Sequence, residues 1–210
     1  MCGRFYVDEG TAKEIERVIR DVDLRIQKMR TGDIYPSQPA GILTCYSRQI
    51  NPLLAGPAAE KSPAFELKEM HWGFPQYQKK GLLINARAET ALERRTFCDS
   101  VRYRRCIIPA KHFYEWDSDK NKVIFFREDR PVLFMAGFYN RFQNEERFMI
   151  LTTQANASVS PVHNRMPVVL DESELEDWVY DDKFMEYALH KTPPELWRKQ
   201  EYEQQSLFLT

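Results

Sequence analysis

The feature that most constrains the fold of this chain is a long succession of short apolar segments broken by turn residues. They lack the regular β–α alternation that a doubly wound parallel sheet requires. Strand signals lie in the opening CGRFYV and at Ile42–Tyr46, Leu67–Trp72, Leu82–Ala86, Cys106–Pro109, Phe113–Trp116, Val123–Phe126, Val132–Tyr139, Phe148–Thr152 and Met166–Leu170. Helical periodicity is confined to a few places. From Thr11 onward, Ile15, Val18, Ile19, Val22, Ile26 and Met29 share one face, and Gly32 ends the segment. Shorter helices are expected at Glu89–Phe97, at Ser173–Tyr180 with Ser173 as the cap, and at Asp182–His190 before Pro193 and Pro194. Tyr35–Ala40, with Pro36 and Pro39, reads as an extended loop, and Asn51–Pro63 as a surface loop. The tail from Glu195 is polar until Leu207, Phe208 and Leu209, which are expected to dock on the core. The pattern predicts an α+β fold, one domain over residues 1–210, with a curved, mostly antiparallel sheet or barrel-like core surrounded by helices.

Composition narrows the function classes. The 210 residues are 43% hydrophobic and 29% charged, the balance of a soluble globular chain. No apolar run approaches the roughly 18 residues of a membrane span, and no apolar signal region opens the chain. A cytoplasmic address is expected, with no membrane partner. The four cysteines (Cys2, Cys45, Cys98 and Cys106) form no CxxC and no close pairing with histidine, so neither a metal site nor a disulfide framework is expected, and no cofactor. With a formal net charge of −1, a nucleic-acid site has to be a local patch.

Four segments place polar groups where the pattern calls for core. The first is Met1-Cys2-Gly3-Arg4-Phe5. Removal of Met1 would leave an N-terminal 1,2-aminothiol, whose amine and thiol both titrate near ~8 to ~8.5 when unperturbed. Such a pair condenses with an aldehyde to an imine and then closes a thiazolidine ring. The competing reading is a small buried cysteine in a first strand. The second segment, Ile84-Asn85-Ala86-Arg87-Ala88-Glu89-Thr90, pairs an amide with an arginine suited to phosphate. Asn85 reads equally as a turn or cap residue. The third, Phe113-Tyr114-Glu115-Trp116, sets a carboxylate among aromatics. Glu115 is either a buried acid–base group with a raised pKa or a solvent-facing residue between inward aromatics. The fourth, Pro161-Val162-His163-Asn164-Arg165-Met166-Pro167, fixes a histidine and an arginine between prolines. Arginines at 87, 94, 95, 102, 104 and 105, interleaved with aromatics, have the composition of a single-strand groove, although Glu89 and Glu93 lie in the same run.

These segments resemble the SRAP (SOS-response-associated peptidase) family. The matching blocks are MCGRF, MHWGF, LINARAET, CIIPAKHFYEW, FMILTT and VHNRMPVVL, in family order over nearly the whole chain. The resemblance implies a basic groove for single-stranded DNA and a covalent thiazolidine crosslink between the processed N-terminal cysteine and an abasic site. It implies Cys2, Asn85, Glu115 and His163 as the reactive set. Arg4, Arg87, Arg95 and Arg165 are implied as phosphate contacts, and Trp72 and Trp116 as groove aromatics. It further implies autoproteolytic removal of Met1, a lyase side activity, and a monomer that meets replication-fork proteins. Peptidase action on other proteins is not expected, but a thiol hydrolase and a non-covalent reader of single-stranded or modified DNA are the rival readings. Two departures stand out. The loop before Pro39 reads Tyr-Pro-Ser-Gln where an asparagine is expected, and no family strand is recognisable after Pro194.

Overall fold

A computed structural model describes residues 2–19, 29–45, 65–77 and 79–201. The expected helical positions Val22 and Ile26, the Asn51–Pro63 loop and the Leu207–Leu209 tail lie outside them.

In chain order the strands are β1 (Phe5–Val7), β2 (Gly32–Ile34), β3 (Pro39–Cys45), β4 (Phe65–Trp72), β5 (Phe74–Pro75), β6 (Leu82–Leu83), β7 (Asn85–Arg87), β8 (Arg105–Ala110), β9 (His112–Trp116), β10 (Lys122–Phe126), β11 (Leu133–Phe142), β12 (Glu145–Gln154), β13 (Arg165–Pro167), β14 (Val169–Leu170) and β15 (Trp197–Glu201). The helices are α1 (Glu9–Ile19), α2 (Cys98–Tyr103), α3 (Leu175–Tyr180) and α4 (Asp182–Ala188). One sheet runs β15-β10-β9-β1-β2, and a larger one is built on β13-β12-β4-β3-β8-β11-β14, with β7 beside β12. Pairing is antiparallel except where β12 meets β4 and β7. The result is the α+β, barrel-like architecture expected from the strand signals.

The larger sheet is buried on both faces, which is why β8 reads as a continuous run with every residue buried. Ile107, Phe134, Ala136, Met149 and Leu151 point to one cluster, shared with Trp178 of α3 and Met185 of α4. Their sequence neighbours Cys106, Ile108, Leu133, Met135, Phe148 and Ile150 point the other way, into a cluster with Phe5, Phe113 and Phe125 of the smaller sheet. Each such side chain removed from water contributes about 1.5–3 kcal/mol. Trp178 Nε1 donates to the buried Cys106 carbonyl at 2.9 Å, satisfying the one polar atom that burial would penalise. At Gly137 an added Cβ would fall 2.4 Å from both Ile108 and the Met149 carbonyl, so the close approach of β11 to its neighbours needs glycine.

The structure corrects several expected elements. The first helix is capped by Asp8, whose Oδ1 accepts from Thr11 N at 2.9 Å, rather than opening at Thr11. Gly32 opens β2 instead of ending a helix, and Pro39 and Ala40 belong to β3. Glu89–Phe97 is not an α-helix. A short 3-10 turn at Ala88–Thr90 gives way to turns, and α2 starts only at Cys98. The side-chain cap here is Asp171, in a reciprocal capping box with Glu174 at the 3-10 turn Glu172–Glu174 that leads into α3, not Ser173. A strand does follow Pro194: β15 pairs with β10 along five residues.

Candidate active site

Cys2 lies just ahead of β1, where Phe5 pairs with Phe113 and Tyr6 with His112. That pairing carries the start of the chain beside β9. Cys2 is 1% exposed and belongs to the cluster between the two sheets. Its carbonyl accepts a hydrogen bond from Asn85 Nδ2 at 2.8 Å, and its thiol points to the Arg4 carbonyl at 3.7 Å. Cys2 is therefore buried, as the competing reading expects, and its backbone is held by a polar side chain.

Asn85 is fixed from beneath. It opens β7, in parallel register with Ile150 of β12. The preceding carbonyl, that of Ile84, accepts from Trp72 Nε1 at 2.9 Å and from Ile150 N at 3.3 Å. Trp72 is thus a buried prop, packed against Phe5 and Phe148. It is wholly inaccessible, which corrects its expected place as a groove aromatic. Asn85 Oδ1 is buried and accepts no hydrogen bond among the described residues.

Glu115 is the buried alternative of the two that its sequence context allowed, at 2% exposure. It shares the inner face of β9 with Phe113, and Val123 of β10 faces it. Burial raises its carboxyl pKa, opposed by the positive charge of the chain's amino terminus and by His163. Burial also drives the Cys2 thiol pKa strongly upward, and the Glu115 charge adds to that. The Glu115 charge thus acts on Cys2, and the His163 charge on Glu115.

His163 sits in the turn after β12, its backbone N–H bonded to the Val159 carbonyl at 3.1 Å. Ring Nδ1 accepts from Arg165 N at 3.0 Å. The same nitrogen lies 3.2 Å from the Arg165 carbonyl, to which it donates in the other tautomer. Asn156, which sequence reasoning passed over, braces the same turn by donating to the Pro193 and Pro194 carbonyls at 3.0 Å.

The cations divide into two kinds. Arg87 and Arg95 are exposed. Arg165 instead pairs in a bidentate manner with Glu89, at 2.7 and 2.9 Å, and donates to the Thr152 carbonyl. It clips β13 to the turn after β7, so its guanidinium is engaged by Glu89 and Thr152. Arg4 lies within 4.8–5.2 Å of the Tyr35, Tyr114 and Trp116 ring centres and pairs with Asp33 at 3.2 Å. Tyr114 donates to the other Asp33 oxygen at 2.8 Å. Asp33 was not singled out from sequence, because the short β2 strand is concealed behind an apparent helix. The arginine run does not form one patch. Arg105 turns into the core toward Asp182 and the Val101 and Val179 carbonyls, and Arg104 bonds Ser100 and the Tyr139 carbonyl. Among the described residues, no three His, Cys, Asp or Glu side chains cluster in a metal-ligating arrangement.

The SOS response associated peptidase (SRAP) family matches residues 1–204. The chain belongs to the SRAP family. Among its relatives, the Escherichia coli K12 protein named abasic site processing protein YedK is 28% identical over 187 residues, which is 85% of this chain and 79% of that one. The Bacillus subtilis protein named abasic site processing protein YoqW is 29% identical over 198 residues, 85% of this chain and 80% of that one. The SRAP fold extends to solved structures of low identity. A Bacteroides thetaiotaomicron protein superposes with a TM-score of 0.73 at 20% identity, covering 96% of this chain and 93% of its own. A Bordetella bronchiseptica protein gives 0.73 at 19%, covering 96% and 100%.

Proposed function

We propose that this SRAP chain, a single domain with Met1 removed, senses abasic sites in single-stranded DNA and joins them covalently through Cys2. The observation that carries the reading is the convergence of Cys2, Asn85 and the buried Glu115 on the start of the chain. It accords with the names of the relatives.

The raised thiol pKa orders the chemistry. At neutral pH the thiol stays protonated, so the α-amine of Cys2 is the first nucleophile. An abasic sugar is mostly a closed hemiacetal; protonated His163 can donate to O4′ as the C1′–O4′ bond breaks and recover a proton from the C1′ hydroxyl as the aldehyde forms. Glu115 takes a proton from the ammonium. The neutral amine then adds to C1′, and loss of water leaves the imine. Sulfur adds to the imine carbon, its proton passes to nitrogen, and the thiazolidine closes. One water is released overall. Asn85 holds the Cys2 carbonyl, so the amine is presented from a fixed backbone, and its buried Oδ1 can accept from the amine or a sugar hydroxyl. β-Elimination from the imine would give the lyase side activity.

A thiol hydrolase needs a thiolate, and the environment of Cys2 opposes one. Peptidase chemistry is therefore confined in this reading to loss of Met1. Cys2→Ser distinguishes the alternatives. It should retain an imine that borohydride traps and lose the stable ring, whereas a hydrolase should keep amide turnover. A non-covalent reader would tolerate Cys2→Ala without any change.

A further inference from the structure

The outer face of the smaller sheet carries a feature that the reactive site does not use. On β1, β9 and β10 the inward residues Phe5, Phe113 and Phe125 are fully buried, while Tyr6, His112 and Phe126 alternate outward and stay partly exposed. Tyr6 pairs with His112, and their rings stack at 4.9 Å with an interplanar angle of 1°. The register of β9 and β10, Phe113 opposite Phe125, carried one residue on, sets Phe126 beside His112. Phe126 in turn faces Trp197 of β15, which is 57% exposed. Four aromatic side chains thus cross four strands in one row, a span of about 14 Å at sheet spacing.

A second row runs parallel to the first, and its ends are cationic. Lys199 faces Ile124, Ile124 faces Tyr114, and Arg4 lies over the Tyr114 ring at 4.8 Å. Lys122 lies over the same ring at 5.5 Å. This row ends at Arg4, two residues from Cys2, so the face is continuous with the reactive site. Aromatic faces in series beside cations are the combination that holds single strands, by base stacking and phosphate attraction, without reading sequence. Cross-strand packing alone does not require a 57% exposed tryptophan at the end of the row.

We infer that the outer face of the β15-β10-β9-β1 sheet is an extended stacking platform for the single-stranded DNA that flanks the lesion, reaching from Arg4 to Trp197. The inference rests on the single-stranded DNA reading above. The platform lengthens the occupied site beyond the reactive pocket and gives affinity that depends on oligonucleotide length. Sequence preference is weak, because every base offers a π-face.

The test is fluorescence anisotropy of the whole chain, with Met1 removed, on labelled oligothymidylates of 5 and 20 nucleotides. It compares the wild type with Trp197→Ala and with Lys199→Glu, both exposed on β15. The platform predicts that the 20-mer binds the wild type more tightly than the 5-mer. It predicts a five- to tenfold loss on the 20-mer for each variant, with little change on the 5-mer, and tryptophan quenching by the 20-mer that Trp197→Ala reduces. Circular dichroism checks that both variants fold, and the difference in quenching between wild type and Trp197→Ala gives a second readout. Equal losses on both lengths, or no loss and no quenching while the wild type still binds, would overturn the platform and leave the reactive-site reading standing. A wild type that binds neither length would overturn both.

Discussion

Glu115 shows most plainly how one residue's surroundings set its chemistry. A carboxyl buried on the inner face of β9 resists ionisation, so its pKa rises above the ordinary carboxyl value. If it serves as the base, the crosslinking rate should climb as pH rises through that raised value. Glu115→Gln should remove this limb of the profile and slow the reaction about 100-fold, within the usual range for loss of one general base. The same shift has a second consequence, of opposite sign, for folding. A carboxyl raised in the folded state contributes stability at low pH that is lost as pH rises through the folded value. Glu115→Gln should therefore melt higher than the wild type at pH 8, with the difference shrinking toward pH 4 in thermal denaturation. Equal melting shifts at both pH values would show that Glu115 is not strained by burial. The sequence made Glu115 visible as a carboxylate among aromatics, but left its direction open. Alternation puts Tyr114 and Glu115 on opposite faces, and only the larger sheet, packed over the inner face that Glu115 shares with Val123 and Phe125, decides that Glu115 is enclosed.

Among the elements, the segment after β7 teaches the most. Its sequence has the spacing of a helix from Glu89, yet Glu89 is drawn to Arg165 and the chain breaks into a 3-10 turn and further turns before α2. A tertiary ion pair between segments 76 residues apart has no local signature. The pair lowers the Glu89 pKa, chiefly through the Arg165 hydrogen bonds. Its contribution should be present at neutral pH and decline as pH falls through the carboxylate range. Glu89→Gln should accordingly lose stability at pH 7 and match the wild type near pH 3, as read by urea denaturation. The strands were legible because buried apolar runs announce themselves. The polar β15, WRKQE, was not, since an outer strand with exposed side chains needs only backbone bonds to β10. Gly73 ends β4 at φ +101°, where a Cβ would also lie within 3.3 Å of Leu82 and Ile84. Gly73→Ala should cost about 1–2 kcal/mol in the same denaturation experiment.

Across the whole molecule, the formal charge of −1 leaves attraction to DNA to the arrangement of side chains. Of the arginines clustered in the sequence, the fold sends Arg105 inward and keeps Arg87 and Arg95 exposed. This sorting was not legible beforehand, because a run of like residues says nothing about which face each will take. Binding of undamaged single-stranded DNA should weaken with salt, with a logarithmic slope of about 0.7 per phosphate contact. Arg87→Ala with Arg95→Ala should lower that slope by about one to one and a half. Arg165→Ala should act through stability and the position of His163 rather than through the slope. By contrast, Cys2, Asn85, Glu115 and His163 come from four distant parts of the chain, and their association was legible only through family resemblance. The two sheets and the parallel pairing of β7 with β12 are what bring them to one place.

In the function proposed above, this place makes a covalent bond to an abasic sugar. Its most direct test mixes protein confirmed to begin at Cys2 with single-stranded DNA bearing one abasic site, followed by a denaturing gel and intact mass. The account predicts a stable adduct at the summed mass less one water, absent with undamaged DNA and with Cys2→Ala. No covalent species from correctly processed protein, or an equal yield from Cys2→Ala, would contradict it.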